Sequence, residues 1–392
     1  MRNRLVSILF LTFMAVVACL GQVSRDDFRR ILSTHAGFPS GDLVNLDAGK
    51  TVVRTLSSDE KREVAVIGVV RLNNLTEPTM SAFRASLTQK NSKVLLGEGR
   101  FSLPPKTEDL TNLTYESRDI DELKNCEVGN CDLKLSAEMI KRAKAELDWT
   151  AADAKSRAGQ LMSAMLTEYV SDYLVRGDKA LIQVASRKDP VRLADEHHEL
   201  LDDSILIKEF APDFRRYMSD FPAFRLAGVD SSMSWSKVNL GVKPFVTITQ
   251  TTAYTSSNNG LPQFILANKQ IFATRYIESS LAFSFLVSFT GDAGRESYLV
   301  FTDRSRSDAL EGAFGSVKRA LVEKQAYATT VDLLSRAKYR LENGGNDRQT
   351  EYQKVDGLFF DFISIRMIVF SAVGICIIAA LLLFVYKRRQ VV

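Results

Sequence analysis

The stretch Leu281-Ala-Phe-Ser-Phe-Leu-Val-Ser-Phe289 decides the reading of the fold. Leu281, Phe283, Phe285, Val287 and Phe289 alternate with Ala282, Ser284 and Ser288. Side chains of a strand point alternately to opposite faces, so this is the pattern of a half-buried antiparallel strand. Upstream, Val246 and Ile248 alternate in the same way with Thr247, Thr249 and Thr251, and Tyr298 to Phe301 adds a further apolar run downstream. Asn258-Asn259-Gly260 and Gly291-Asp292 supply turns between such runs. Val317, Leu321, Ala328, Val331, Leu334 and Leu341 then fall on one side of a long helix. Residues 233–342 therefore predict a curved antiparallel sheet gripping one long C-terminal helix.

The preceding chain divides into two regions. Residues 22–135 read as an N-terminal α+β region: Asp26 to Leu32 has helical spacing, and Lys50 to Arg54 and Val64 to Leu72 are rich in Val and Ile. An extended stretch around Val94 to Leu103 ends at Pro104-Pro105. Residues 136–232 read as a helical block. Ser136 opens one helix, and Leu161, Met165, Tyr169, Val170, Tyr173 and Leu174 mark a longer one ended by Gly177. Pro190 and Pro212 punctuate two more. The fold class is α+β, with no internal repeat.

Both ends read as membrane-directed. Residues 1–21 have the build of a signal peptide: Arg2 and Arg4, an apolar stretch from Leu5 to Ala18, then small residues near Gly21. Cleavage before Gln22 is the simplest reading, and Val16-Val17-Ala18-Cys19 loosely fits a box for lipidation of Cys19. Met367 to Tyr386 is apolar throughout, the length of a transmembrane helix, and the tail 387–392 begins Lys387-Arg388-Arg389. The positive-inside rule puts that tail in the cytoplasm and the body outside, a single-pass topology in the cell membrane. Ala372, Cys376 and Ala380 share one face of the span at a spacing that permits helix pairing. Residues 343–366 form a linker with Gly344-Gly345 and an interfacial collar of Leu358, Phe359, Phe360, Phe362 and Ile363.

Charge excludes one class of partner. Lys plus Arg exceed Asp plus Glu by 51 − 47 = 4, and part of that excess sits at the two ends. The body is near neutral, which leaves nucleic acid no electrostatic footprint. Cys126 and Cys131 lie in the body, spaced for a local disulfide in an oxidising compartment, with Gly129 to allow a tight loop. A zinc site would need two further ligands, and a redox pair is more usually Cys-x-x-Cys. The sequons at Asn74 and Asn112 bear only on a eukaryotic secretory pathway.

Three histidines limit hydrolytic and metal chemistry. His197 and His198 sit in Asp195-Glu196-His197-His198-Glu199, but neighbours on a helix point about 100 degrees apart and do not chelate together. His35 lies in an expected loop. No Gly-x-Ser-x-Gly elbow, phosphate-binding loop or His-Glu-x-x-His is present, and no cofactor or metal is implied. The least ordinary polar residues are Trp235, Lys237, Lys243, Lys269, Gln270, Arg275, Tyr276, Arg304, Arg306 and Asp308. Turned toward one cavity they form a candidate ligand site, with Arg275 and Arg304 or Arg306 holding an anionic headgroup by forked hydrogen bonds. Turned outward they are solvated strand ends, with Ser307 or Asp308 capping the next helix.

Asn125-Cys126-Glu-Val-Gly129-Asn-Cys131-Asp-Leu-Lys134-Leu135, Trp235-Ser236-Lys237 with Lys243-Pro244, Lys269-Gln270-Ile-Phe-Ala273 and Arg304-Ser-Arg306-Ser-Asp308 together resemble a family of exported bacterial proteins of unknown function. The resemblance implies export and lends no activity. The sheet-plus-helix arrangement also resembles the helix-grip (START-like) folds that enclose lipids and other apolar ligands, and function does not follow from fold. Three readings result. The first is a membrane-anchored extracytoplasmic protein that binds an apolar or lipid-like ligand without catalysis. The second is an envelope interaction or scaffold protein with no cavity. The third is a hydrolase that brings His197 or His198 beside a Ser or Thr nucleophile.

Overall fold

The computed structural model describes residues 24–344, apart from 74, 76–77, 88–93, 240–242, 257–262, 292–293 and 313. The expected signal segment, Asn74, the expected turns at 258–260 and 292, the expected collar and the run 367–386 lie outside the described residues. Among those described, no helix is long and apolar enough to cross a membrane.

In chain order the elements are α1 (Arg25–His35), α2 (Ser40–Asp47), β1 (Val52–Leu56), β2 (Glu63–Leu72), α3 (Met80–Leu87), β3 (Leu95–Arg100), α4 (Ser117–Asn125), α5 (Ala137–Glu146) and α6 (Ala154–Arg176). There follow β4 (Gln183–Val184), β5 (Val191–Arg192), α7 (Leu193–Asp202), α8 (Ile205–Phe210) and α9 (Pro212–Ser219). The last are β6 (Val229–Val238), β7 (Phe245–Thr255), β8 (Phe264–Ala273), β9 (Ile277–Gly291), β10 (Gly294–Ser307) and α10 (Gly315–Glu342). Local signals act where the sequence places them. Ser24 and Asp27 form a capping box on α1, Ser136 caps α5, Pro212 opens α9, and Gly177 at φ 60° ends α6.

One eight-stranded sheet in the order β1-β2-β10-β9-β8-β7-β6-β3 organises the molecule, with every pairing antiparallel. The boundaries that the sequence suggests at 135 and 233 are therefore not boundaries of the sheet. β1 and β2 extend it beyond β10, and β3 closes the far edge on β6. Such long-range pairing leaves no period in the local sequence.

The two faces are covered unequally. On the first face, α1 and α7 to α9 pack over Ile67, Val69, Phe283, Phe285, Val287 and Val300, while α4 to α6 pack over Met233, Trp235, Val246, Ile248 and Phe272. On the second face, α10 lies along β2 and β1, touching β10 lightly, and α3 wedges between α10 and β8. Leu334, Ala337 and Leu341 of α10 join Val53, Val66, Leu266, Leu286 and Leu299 there. Val317, expected on the buried stripe of this helix, is 53% exposed, because the first half of α10 runs past the rim of the sheet core.

The seat of α10 depends on Gly68. A Cβ there would stand 2.5 Å from Leu334 Cδ1 and 2.7 Å from Thr330 Cγ2, so the helix rests on bare strand backbone. Gly68→Val is expected to lift the helix and cost about 1–3 kcal/mol, measured by urea denaturation.

Candidate functional site

The cations singled out in the sequence are engaged with internal carboxylates. Fully buried Glu63 accepts Arg304 Nη1 at 2.5 Å and Arg306 Nε at 3.0 Å. Arg306 continues to Glu196 (3.0 Å) and Glu199 (2.6 Å), and Arg62 links Glu196 (3.0 Å) to Glu278 (2.6 Å). Glu278 also receives Arg187 at 2.7 Å, while Asp308 receives Lys134 at 2.7 Å. These carboxylates hold the Arg62 and Arg306 guanidiniums above their ordinary range, against the opposing effect of burial. A second cluster sets Arg275 against Asp119 (2.6 Å) and Glu122, with Lys243 on Glu122 at 2.6 Å and the Tyr276 hydroxyl accepting from Lys243 N at 3.2 Å. Lys237 binds Glu116 (2.7 Å) and Thr114 O (2.8 Å), and Lys269 binds Asp178.

The structure thus separates the ten residues into structural groups and does not gather them round one cavity. The headgroup clamp expected of Arg275, Arg304 and Arg306 is not assembled, since each meets a carboxylate of the fold. Trp235 is core: its Nε1 donates to Asp109 O at 2.9 Å, and Gly99, whose Cβ would stand 2.5 Å from that nitrogen, leaves room for the ring. Ser307 does cap the short turn after β10, donating its hydroxyl to Tyr276 O and accepting Ala309 N. Cys126 and Cys131 form the expected disulfide, and Gly129 (φ 85°) turns the loop between them.

The histidines are not joined to a nucleophile. His197 is buried on α7 with Nε2 2.8 Å from Gln270 O, and burial beside Lys269 and Arg306 pushes its pKa well below the ordinary value. His198 reaches Asp202 at 3.2 Å. Because folded His197 resists a proton that the unfolded chain accepts, it withdraws stability as pH falls below about 6.5. Replacing it by Gln is expected to flatten the fall in stability between pH 7 and pH 5, read from urea midpoints across that range.

A cleft of about 220 Å3 lies on the first face between the end of α1, β1, β2, β10 and the α7–α8 junction. His35, Asp202, Asp203 and Ser204 stand at it with Arg304, over Leu56, Ile67 and Ile205. Arg304 is already on Glu63 and 3.8 Å from Asp203, so the cleft's arginine is not free for a ligand.

The second face carries a different arrangement. Strand register sets Asp303, Ala282, Asn268, Thr251 and Ser232 directly across from one another, from β10 to β6. The adjoining row is Ser305, Ser280, Gln270, Thr249 and Ser234. Five strands at about 4.8 Å spacing make this floor about 19 Å wide. α10 walls it on the β2 side, and α3 closes the apolar end where Phe83 stacks on Phe264. Most of the floor is half-buried, and its small hydroxyls bond along it: Thr251 to Asn268 Oδ1 at 2.9 Å, Ser305 to Ser280 at 2.9 Å.

Asp303 stands at the foot of the α10 wall. Its Oδ1 accepts the hydroxyls of Ser305 (3.1 Å) and Ser280 (3.3 Å). Burial pushes its carboxyl up to about 6, the two hydroxyls only partly offset this, and no cationic side chain contributes. Yet the residue keeps contact with solvent. Buried Gln270 in the next row has an amide nitrogen with no partner. Sequence reading passed over Asp303 in favour of its neighbours Arg304 and Arg306. The available signal was period two: Asp303 and Ser305 share a strand face with Leu299 and Phe301, where a lone carboxylate is unusual.

No family model matches the chain, and no curated protein matches it, so the resemblance to an exported bacterial family gains no support from either. One solved structure to which part of the chain is similar is the Zhui aromatase/cyclase from Streptomyces sp. R1128, at 18% identity and a TM-score of 0.20 over 36% of this chain and 90% of that one. At that TM-score the likeness carries no argument.

Proposed function

We propose that this chain is a membrane-anchored extracytoplasmic binding protein, non-catalytic, whose trough between α10 and the second face of the sheet holds a lipid-like amphiphile. The observation that carries the reading is Asp303, a carboxylate kept without a cationic partner on the floor of a half-open trough, at a cost to the fold. Groups held in such a state cluster at functional sites. The polar anchor is acidic, in place of the cationic clamp first expected. The apolar run 367–386 with Lys387 to Arg389 behind it, the N-terminal signal and the Cys126–Cys131 disulfide support the placement of the body outside the cytoplasm.

A second reading, an envelope interaction protein, is favoured by one feature. Phe314, Val317, Val322 and Tyr327, on and just before the first half of α10, are 67%, 53%, 41% and 46% exposed. The two readings separate on solvent extraction of the full chain purified from membranes. Binding predicts an amphiphile in the extract at near one per chain, reduced in Asp303→Leu. Extracts of both proteins containing only bulk membrane lipid in equal amounts would favour the interaction reading.

A further inference from the structure

The trough has polarity of one kind. Its two rows contain hydroxyls, amides and one carboxylate from β10 to β6, and neither row holds a Lys or Arg between those strands. The neighbouring cations Arg304, Arg306 and Lys269 alternate to the first face, where each is bound to an acid. Oδ1 of Asp303 is occupied by Ser280 and Ser305, and the carboxylate retains its second oxygen and its contact with solvent for a further donor. The site therefore lacks a cation beside its acid.

Resting on the binding reading above, we infer that the trough selects an amphiphile bearing a protonated amine, with Asp303 as its counter-ion. Charge-assisted hydrogen bonds are about twice as strong as neutral ones, and a partly dry site strengthens them further. An anionic amphiphile meets repulsion at Asp303 and has no cation on the floor to offset it. The wall of α10, where Ala326 packs at the second-face core, offers the alkyl chain an apolar side. The raised pKa of Asp303 agrees with a site completed by a cation, since an ammonium would restore the carboxylate to its ionised form.

The test is calorimetric titration of the full chain in phosphatidylcholine nanodiscs at pH 7.5, with empty nanodiscs subtracted. The probes are decylamine, decan-1-ol and decanoate. The expected result is decylamine bound at least about ten-fold more tightly than decan-1-ol, decanoate bound least, and the advantage of the amine lost in Asp303→Asn. Decylamine and decan-1-ol bound alike would overturn the amine assignment while leaving an amphiphile site in place. Decanoate bound most tightly would overturn it too, and would return the search to a cationic anchor. No saturable binding of any probe would remove both the assignment and the trough reading beneath it. Asp303→Asn keeps an acceptor for Ser280 and Ser305, so loss of folding does not stand in for loss of binding.

Discussion

Asp303→Asn is expected to make the protein more stable at pH 8 and a poorer binder. Raising a carboxyl from its ordinary 3.8 to about 6 means that the folded state holds its proton more tightly than the unfolded chain. The ionised form consequently costs stability above pH 6, and the cost fades as pH falls through 6 toward 4. The difference corresponds to at most about 3 kcal/mol at 1.4 kcal/mol per pH unit, so a gain of about 1–3 kcal/mol is expected at pH 8 and almost none at pH 4. Urea midpoints at the two pH values measure it. A residue whose neutral isostere stabilises the fold and impairs binding is retained for function, as in other stability–activity trade-offs. A variant that is less stable at pH 8 would show instead that the carboxylate supports the sheet.

Glu63→Ala is expected to have the largest destabilising effect in the molecule. Glu63 is wholly buried at the start of β2, and Arg304 and Arg306 of β10 both close on it. Removing one acid leaves two like-charged guanidiniums side by side on one face of β10, with Glu196 and Glu199 compensating only Arg306 directly. Breaking a buried pair by deleting one partner costs about 3–5 kcal/mol. The paired change Glu63→Leu with Arg306→Met is expected to recover much of that loss, because both the charge and its counter-charge leave together. A double-mutant cycle followed by chemical denaturation reads the coupling directly.

This network explains why the candidate residues were visible in the sequence while their role was not. Arg275, Arg304 and Arg306 interrupt apolar strands, and a single sequence marks them as unusual. Their acids are contributed from residues 63, 119, 122 and 196, from elements remote in the chain. Without those partners in view, a cation at a strand end reads as a ligand clamp. The same remoteness hid the extent of the sheet. The period-two run at 281–289 identifies β9, and 317–341 identifies α10, because amphipathic periods are local. That β2 lies beside β10, and β3 beside β6, is a matter of pairing that no local period records.

Helix α10 shows the limit from the other side. Its apolar residues suggested one continuous buried stripe, and Leu334 and Leu341 obey it. Val317 does not, since the helix outruns the core that its second half covers. Trp235 is a further case: large aromatic residues serve cores and ligand sites alike, and only Gly99 on the neighbouring β3, which leaves the indole its space, decides for the core.

The most direct measurement is photo-labelling of the full chain in nanodiscs with a diazirine-bearing long-chain amine, followed by peptide mapping. The account predicts adducts on the trough, within residues 280–284 and 301–305 and the facing flank of α10 between 319 and 333, competed by decylamine and reduced in Asp303→Asn. Adducts confined to the first-face cleft around Asp202 to Ile207, or unaffected by competition, would contradict it.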